Sequence, residues 1–323
     1  MRILVTGGAG FIGAHLTERL LDIGHEVVVI DNLSTGYLKN LAEVQNNPAF
    51  EFIQEDIVTM DFMGDIVKDV DMVFHLAAAV GVELVVNDPV RTITTNVHGT
   101  EQVLKAVAEY DKRVVVASTS EVYGKSTKST FSETDDLLIG CPTHSRWSYA
   151  CSKLLDEFYV MAFHRAQNLK GTVVRFFNTV GPKQTGQYGM VVPRFVQCAL
   201  NNEDLLVYGD GTQSRCFCHV FDTVRALLGL IDCPDSYGKI YNIGSHNKIS
   251  IEGLAEQVIS QLGSSSRVKK IPYDQAYEAG FEDMLHRAPN TKAVNDLLDW
   301  EAEFTLEQII SDVAVSMKAE SAE

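Results

Sequence analysis

The sequence predicts an α/β chain: a doubly wound parallel sheet joined to a smaller C-terminal lobe. Three observations carry that prediction. Short β-branched runs alternate with amphipathic stretches through the first half, the pattern of repeated strand-helix-strand units. Three glycines crowd the exit of the first such run. After Gly181 the alternation gives way to the turn-rich segment GPKQTGQYG at 181–189, where glycine and proline punctuate the chain.

Taken in order, strands are read at 2–6, 26–31, 50–54, 71–75, 113–118 and 172–176. Between them, the stretches 11–21, 90–110 and 149–168 repeat apolar residues every three or four positions, which marks one buried face of a helix. Crossovers between parallel strands are right-handed, so the carboxyl ends of the strands gather at one edge, where ligands bind. A helix around 192–201 and the turn YGDG at 208–211 begin the second lobe. A strand-like piece at 240–243 is expected to return to the sheet, so the lobes interleave. The expected division is 1–179 plus a return segment of about 220–245 for the sheet domain, and 180–219 with 246–323 for the other lobe.

Composition excludes several classes. With 323 residues, 46% hydrophobic and 22% charged, the chain has an ordinary globular balance and fits neither a disordered nor a fibrous protein. No apolar run reaches the roughly 20 residues of a membrane span. The start MRILVTGGAG reads as a first strand and not a signal peptide, which places the protein in the cytoplasm. Lys plus Arg total 27 against 43 Asp plus Glu, a formal charge of −16 that repels the nucleic-acid backbone. An anionic small ligand would need positive charge supplied locally by arginines or helix N-termini. The cysteines at 141, 151, 198, 216, 218 and 233 contain no C-x-x-C pair and read as reduced thiols. Cys216-Phe217-Cys218-His219 has no second ligand pair at zinc spacing, so no metal is expected.

Gly7, Gly10 and Gly13 form G-x-x-G-x-x-G directly after the first strand, with Phe11 and Ile12 at the mouth of the following helix. Bare backbone there can approach a pyrophosphate at the positive helix end. Asp31, followed by Asn32, ends the second strand, where a carboxylate accepts both ribose hydroxyls of NAD and repels the 2′-phosphate of NADP. The alternative for Asp31 is a cap in the turn DNLS. Asp56 and Ile57, after the third strand, are placed at the adenine edge, with a turn carboxylate as the alternative.

Tyr149 and Lys153 stand four apart on one helical face, so the ammonium is expected to lower the phenol's proton affinity and hold the nicotinamide ribose. Ser118, Thr119, Ser120 and Glu121 end the fifth strand, where a parallel sheet presents its hydroxyls and carboxylates.

TGGAGFIG at 6–13, HLAA at 75–78, STSEVYG at 118–124, YACSK at 149–153 and RFFNTVGP at 175–182 together resemble the extended short-chain dehydrogenase/reductase superfamily of sugar-nucleotide epimerases, dehydratases and decarboxylases. The resemblance covers nearly the whole chain and implies a Rossmann-type sheet, bound NAD and a nucleotide-sugar substrate, a UDP-sugar by preference. It implies that Tyr149 is the base at sugar carbon 4, that Thr119 hydrogen-bonds the same oxygen and that Lys153 tunes Tyr149. It also implies cofactor contacts at Leu76, Ala77, Ala78, Asn96, Ser118 and Phe176, and a homodimer formed through the two long helices. Thr119-Ser120-Glu121, RWSY beginning at Arg146, GTQSRCF at 211–217 and GFEDMLHRAPN at 280–290 resemble the UDP-glucuronic acid decarboxylases, which convert UDP-glucuronate to UDP-xylose or its 4-keto precursor. The loop 79–87, AVGVELVVN, lacks the proline-rich pattern of that group. Ser120 stands where 4,6-dehydratases carry an aspartic acid, and simple 4-epimerases generally lack the acid at Glu121. A 4-epimerase and a 4,6-dehydratase remain the alternatives, and a non-catalytic NAD sensor is the alternative from another class. The substrate side is expected to use Arg146, Asn178, Val192, Arg194, Arg215 and Arg287, with Arg215 at either the diphosphate or the sugar carboxylate and Arg287 at the diphosphate or ribose.

Overall fold

The computed structural model describes residues 1–81, 88–186, 190–272, 284 and 286–320. The strands are β1 (Arg2–Thr6), β2 (Glu26–Ile30), β3 (Phe50–Ile53), β4 (Met72–His75), β5 (Arg113–Thr119), β6 (Lys170–Phe176), β7 (Thr179–Val180), β8 (Leu205–Tyr208), β9 (Ser214–Cys216), β10 (Cys218–His219), β11 (Lys239–Ile243), β12 (Lys248–Ser250), β13 (Val268–Ile271) and β14 (His286–Arg287). The helices are α1 (Phe11–Asp22), α2 (Met63–Lys68), α3 (Pro89–Glu109), α4 (Arg146–Gln167), α5 (Val191–Leu200), α6 (Val220–Gly229), α7 (Ile251–Leu262), α8 (Lys292–Leu298) and α9 (Leu306–Glu320).

Seven strands form one sheet in the order β11-β6-β5-β4-β1-β2-β3, and every pairing within it is parallel. The order reverses at β1, and the return strand foreseen at 240–243 is β11, paired with β6 through Ile243↔Phe176. Alternation along β1 sends Ile3 and Val5 into one core with Leu16 and Leu20 of α1 and Val224 and Leu227 of α6. Leu4 faces the other way, into a core with Val67 of α2, Val103 and Leu104 of α3 and Val160 of α4. A sheet covered on both faces needs apolar residues at successive positions, which is why its strands read as continuous Val and Ile runs.

A separate core gathers Val192, Phe195 and Val196 of α5, Leu205 and Val207 of β8, Leu254 and Val258 of α7 and Ile309, Ile310 and Val313 of α9. Residues 292–300 do not join it. Val294 of α8 and Trp300 pack beneath the seven-stranded sheet. The indole of Trp300 donates to the Asp222 carbonyl at 3.0 Å, and Asp222 Oδ2 accepts from Glu303 N and Phe304 N, which anchors the chain before α9. No helix among the described residues is long and apolar enough to cross a membrane.

Candidate active site

The carboxyl ends of the central strands open into a cavity of about 510 Å³, within the range of small-molecule sites. The turn from β1 into α1 makes its floor. Gly7 adopts φ +73°, and a Cβ there would lie 2.7 Å from the Ala77 backbone; a Cβ on Gly13 would stand 2.2 Å from the Gly7 carbonyl. Only bare backbone fits, which keeps the N-terminus of α1 open to a ligand. Gly10, Phe11 and Ile12 line the same wall.

Asp31 lines the cavity and is buried. Its Oδ2 accepts from Ala9 N at 3.0 Å and its Oδ1 from Leu33 N at 2.8 Å, so it ties the glycine loop to the end of β2 and does not cap a helix. Burial pushes its carboxyl up, and the two backbone donors oppose that shift. Asn32 and Ile57 also line the cavity, but Asp56 stands behind it, accepting from Asn32 Nδ2 and Val58 N, while Glu55 faces in. Leu76, Ala77, Ala78, Ser118 and Phe176 line the sheet side. Asn96 is a brace outside the lining: its Oδ1 accepts from Ala79 N at 2.8 Å and its amide donates to Ser152 Oγ at 3.0 Å.

Thr119, Ser120, Glu121, Tyr149 and Lys153 converge on the cavity. Thr119 caps a short turn by accepting from Glu121 N at 3.2 Å, which swings Glu121 inward. The spacing of Tyr149 and Lys153 led to an expectation of a depressed phenol, but the phenol is pushed up. Burial is the main cause, the charges of Glu121 and Asp156 add to it, and a hydrogen bond with Thr119 opposes it. The ammonium expected to lower it is instead paired with Asp156 at 2.6 Å.

The opposite wall carries the remaining predicted residues: Arg146, Asn178, Val192, Arg194, Arg215 and Arg287 all line the cavity. The Asn178 amide donates to the Cys216 carbonyl at 2.8 Å, tying the segment after β6 to β9. Arg194 lies over the Tyr208 ring at 4.6 Å and donates to the Leu206 carbonyl. Arg215 and Arg287 are register partners on β9 and β14, and Arg287 Nη1 reaches Glu121 Oε1 at 3.4 Å. That contact sets Arg287 beside Thr119 and Tyr149. Positions 280–283 and 285 of the GFEDMLHRAPN segment lie outside the described residues, as do loop positions 82–87 and 187–189.

Sequence reasoning missed Tyr37, Asn40, Lys183 and Gln213 in the lining. Lys183 had a signal, its place in the GPKQ turn; its ammonium meets Glu18 of α1 and donates to the Asn40 carbonyl. His75, which opens the HLAA segment, is buried between Thr6 and Thr100. His219 caps α6 through Phe221 N. All six cysteines are free.

A glycine cradle, a strand-end carboxylate and a Tyr-Lys pair around one cavity define a dinucleotide-binding α/β enzyme site. Comparison with known proteins agrees. A family model described as GDP-mannose 4,6 dehydratase matches residues 4–313. The chain is 41% identical over 308 residues to a UDP-N-acetyl-alpha-D-glucosaminuronate decarboxylase of Bacillus cytotoxicus, covering 95% of this chain and 94% of that one. It is 34% identical over 308 residues to UDP-glucuronic acid decarboxylase 1 of Arabidopsis thaliana, covering 95% and 68%. A solved UDP-glucuronic acid 4-epimerase of Bacillus cereus, in complex with UDP-glucuronic acid and NAD, matches with a TM-score of 0.88 at 26% identity, covering 99% of this chain and 100% of that one. The chain belongs to this family, the extended short-chain dehydrogenase/reductases of the epimerase and dehydratase type.

Proposed function

We propose that the protein is an NAD-dependent lyase that decarboxylates a UDP-linked uronic acid. The observation that carries the reading is the Glu121–Arg287 pair beside Thr119 and Tyr149. A guanidinium at the sugar end supplies the positive charge that a sugar carboxylate needs in a chain of net charge −16.

The glycine cradle, Asp31 and Lys153 would hold NAD, Asp31 at the adenosine ribose and Lys153 at the other ribose, and the bound cofactor would supply the hydride acceptor for sugar carbon 4. Tyr149 takes the carbon-4 hydroxyl proton, and Thr119 hydrogen-bonds the same oxygen and favours its anionic form. A carboxylate β to the resulting carbonyl leaves as CO2. Arg287 and Arg215 orient that carboxylate, the electron pair of the broken bond passes into the carbon-4 carbonyl as an enolate, and Glu121 relays a proton from solvent to carbon 5. Ser120, buried in the cavity wall, is too weak an acid to expel a 6-hydroxyl, which disfavours dehydration.

Two substrates are in view: UDP-glucuronate, and its 2-acetamido counterpart, which the higher identity to the Bacillus decarboxylase favours. Incubation with both, read by mass spectrometry, is expected to show loss of CO2 from at least one. UDP-galacturonate with no CO2 released would establish the 4-epimerase reading instead.

The sheet with α1–α4, α6 and α8 forms the cofactor part, and the core around Phe195, Leu254 and Ile310 forms the sugar part, with 292–300 belonging to the former. Six free thiols suit a reducing cytoplasm. The protein pairs as a homodimer through α3 and α4, supported by Val90 at 74% and Phe158 at 59% exposure, with Ile93 and Leu155 beside them. Light scattering that gives a monomer at working concentration would refute the pairing.

A further inference from the structure

Tyr149, Lys153 and Asp156 stand at i, i+4 and i+7, one stripe of α4. The last two are sealed from water: Lys153 is 2% exposed and Asp156 0%, and the ammonium donates to Asp156 Oδ2 at 2.6 Å. Among the described residues, the elements packed against the pair add no second anion to it. His75 of β4, bonded to Thr6 at 2.7 Å and to Thr100 of α3 at 2.9 Å, is held neutral by burial and by the nearby ammonium, down to about 3. Burial pushes the Asp156 carboxyl up, and Lys153 and Thr100 oppose that shift; the Asp156 Oδ1 makes no hydrogen bond among the described residues. Glu157 of α4 is engaged by Arg175 of β6 at 2.6 Å, and Glu121 by Arg287. Among the described residues, then, Glu157 and Glu121 are each engaged by an arginine, and Asp156 is the carboxylate paired with Lys153.

We propose that Asp156 is a positioning residue that fixes the Lys153 ammonium and offsets its charge, and so sets how readily Tyr149 gives up and recovers its proton. The proposal rests on reading Tyr149 as the base at carbon 4. An unpaired ammonium beside a phenol favours the phenolate, and a carboxylate immediately behind the ammonium cancels much of that field. The pairing also removes the cost of a lone buried charge, which would leave the lysine side chain free to shift. The direction agrees with Tyr149 itself, whose phenol is pushed up by burial first, then by Glu121 and Asp156. A residue that must both accept and return a proton works best when neither form is overwhelmingly favoured, and a fixed counter-ion is one way to hold that balance.

Asp156→Asn keeps the shape and an acceptor for Lys153 but removes the charge. Two profiles are compared across pH: single-turnover hydride transfer from a UDP-sugar to bound NAD, and tyrosinate absorbance, with Tyr149→Phe as the blank. The acid limb of the rate and the Tyr149 ionisation are both expected to move to lower pH by about one unit, with cofactor content unchanged. Asp156→Ser, which leaves room for water, serves if the Asn variant fails to fold and is expected to shift both in the same direction. A limb that stays in place or moves upward overturns the proposal. Wild-type protein that transfers no hydride from any UDP-sugar, or Tyr149→Phe that turns over normally, would defeat the functional reading instead.

Discussion

On the sheet side of the cavity, the ligand-facing groups come from successive strand ends and one glycine turn, whereas on the far side Glu121, Arg215 and Arg287 come from a turn after β5 and from two short strands, β9 and β14. The first wall is largely backbone, held by seven parallel strands packed on both faces. The second is side chains held by charge, with the contact between Glu121 and Arg287 spanning 166 positions of sequence. Backbone recognition tolerates most side-chain changes but not an added methyl group. Charge recognition tolerates changes of shape but not the loss of a partner. A family built this way can keep one cofactor wall and change its chemistry on the other.

Substitutions on each wall can break that contrast. The largest effect is expected where the walls meet: Tyr149→Phe should lower turnover by about 10²- to 10⁴-fold with NAD still bound, measured by stopped-flow hydride transfer. Arg287→Met should slow CO2 release by about 10²- to 10³-fold, the cost of removing one donor aimed at developing charge, and cofactor content should be unchanged. Loss of NAD in that variant would mean the walls are not independent. On the sheet side, Gly13→Ala forces a Cβ towards the Gly7 carbonyl; strain of about 1–3 kcal/mol should weaken NAD retention roughly tenfold to a hundredfold. The fraction still loaded should turn over at the wild-type rate, and a slower rate in that fraction would contradict the division. The smallest effect is expected for Asp31→Asn, which exchanges charged for neutral hydrogen bonds worth about 1 kcal/mol each. Isothermal titration should show NAD binding several-fold weaker and the discrimination against NADP reduced. Unchanged preference would remove Asp31 from the ribose.

Much of the sheet side was legible in sequence because its signals are local. Strand runs, the glycine spacing before α1 and the Tyr149–Lys153 interval each lie within a few residues, and the read strands match β1 to β6 to within two residues at either end. Asp56 and Asn96 show the limit of that reading: both were assigned to the cofactor, yet Asp56 secures Asn32 and Asn96 ties the loop after β4 to α4. Asp156 was legible as spacing, three residues beyond Lys153, but a helical aspartate is ordinarily solvated. Only the packing of α3, β5 and β6 against α4 buries it.

The sequence by itself determined the parallel sheet, the bare-backbone cradle, the strand-end carboxylate and the Tyr-Lys pair, because periods of two and of three to four residues and short fixed spacings are properties of the chain near each residue. The tertiary structure alone decided that Arg287 faces Glu121, that Asp156 meets Lys153 in a buried pair and that residues 292–300 pack beneath the sheet and not with the second core. Those pairings join segments that no local pattern links, and they form because buried charges must find partners and apolar faces such as those of Val294 and Trp300 must be covered, wherever in the chain the partner lies.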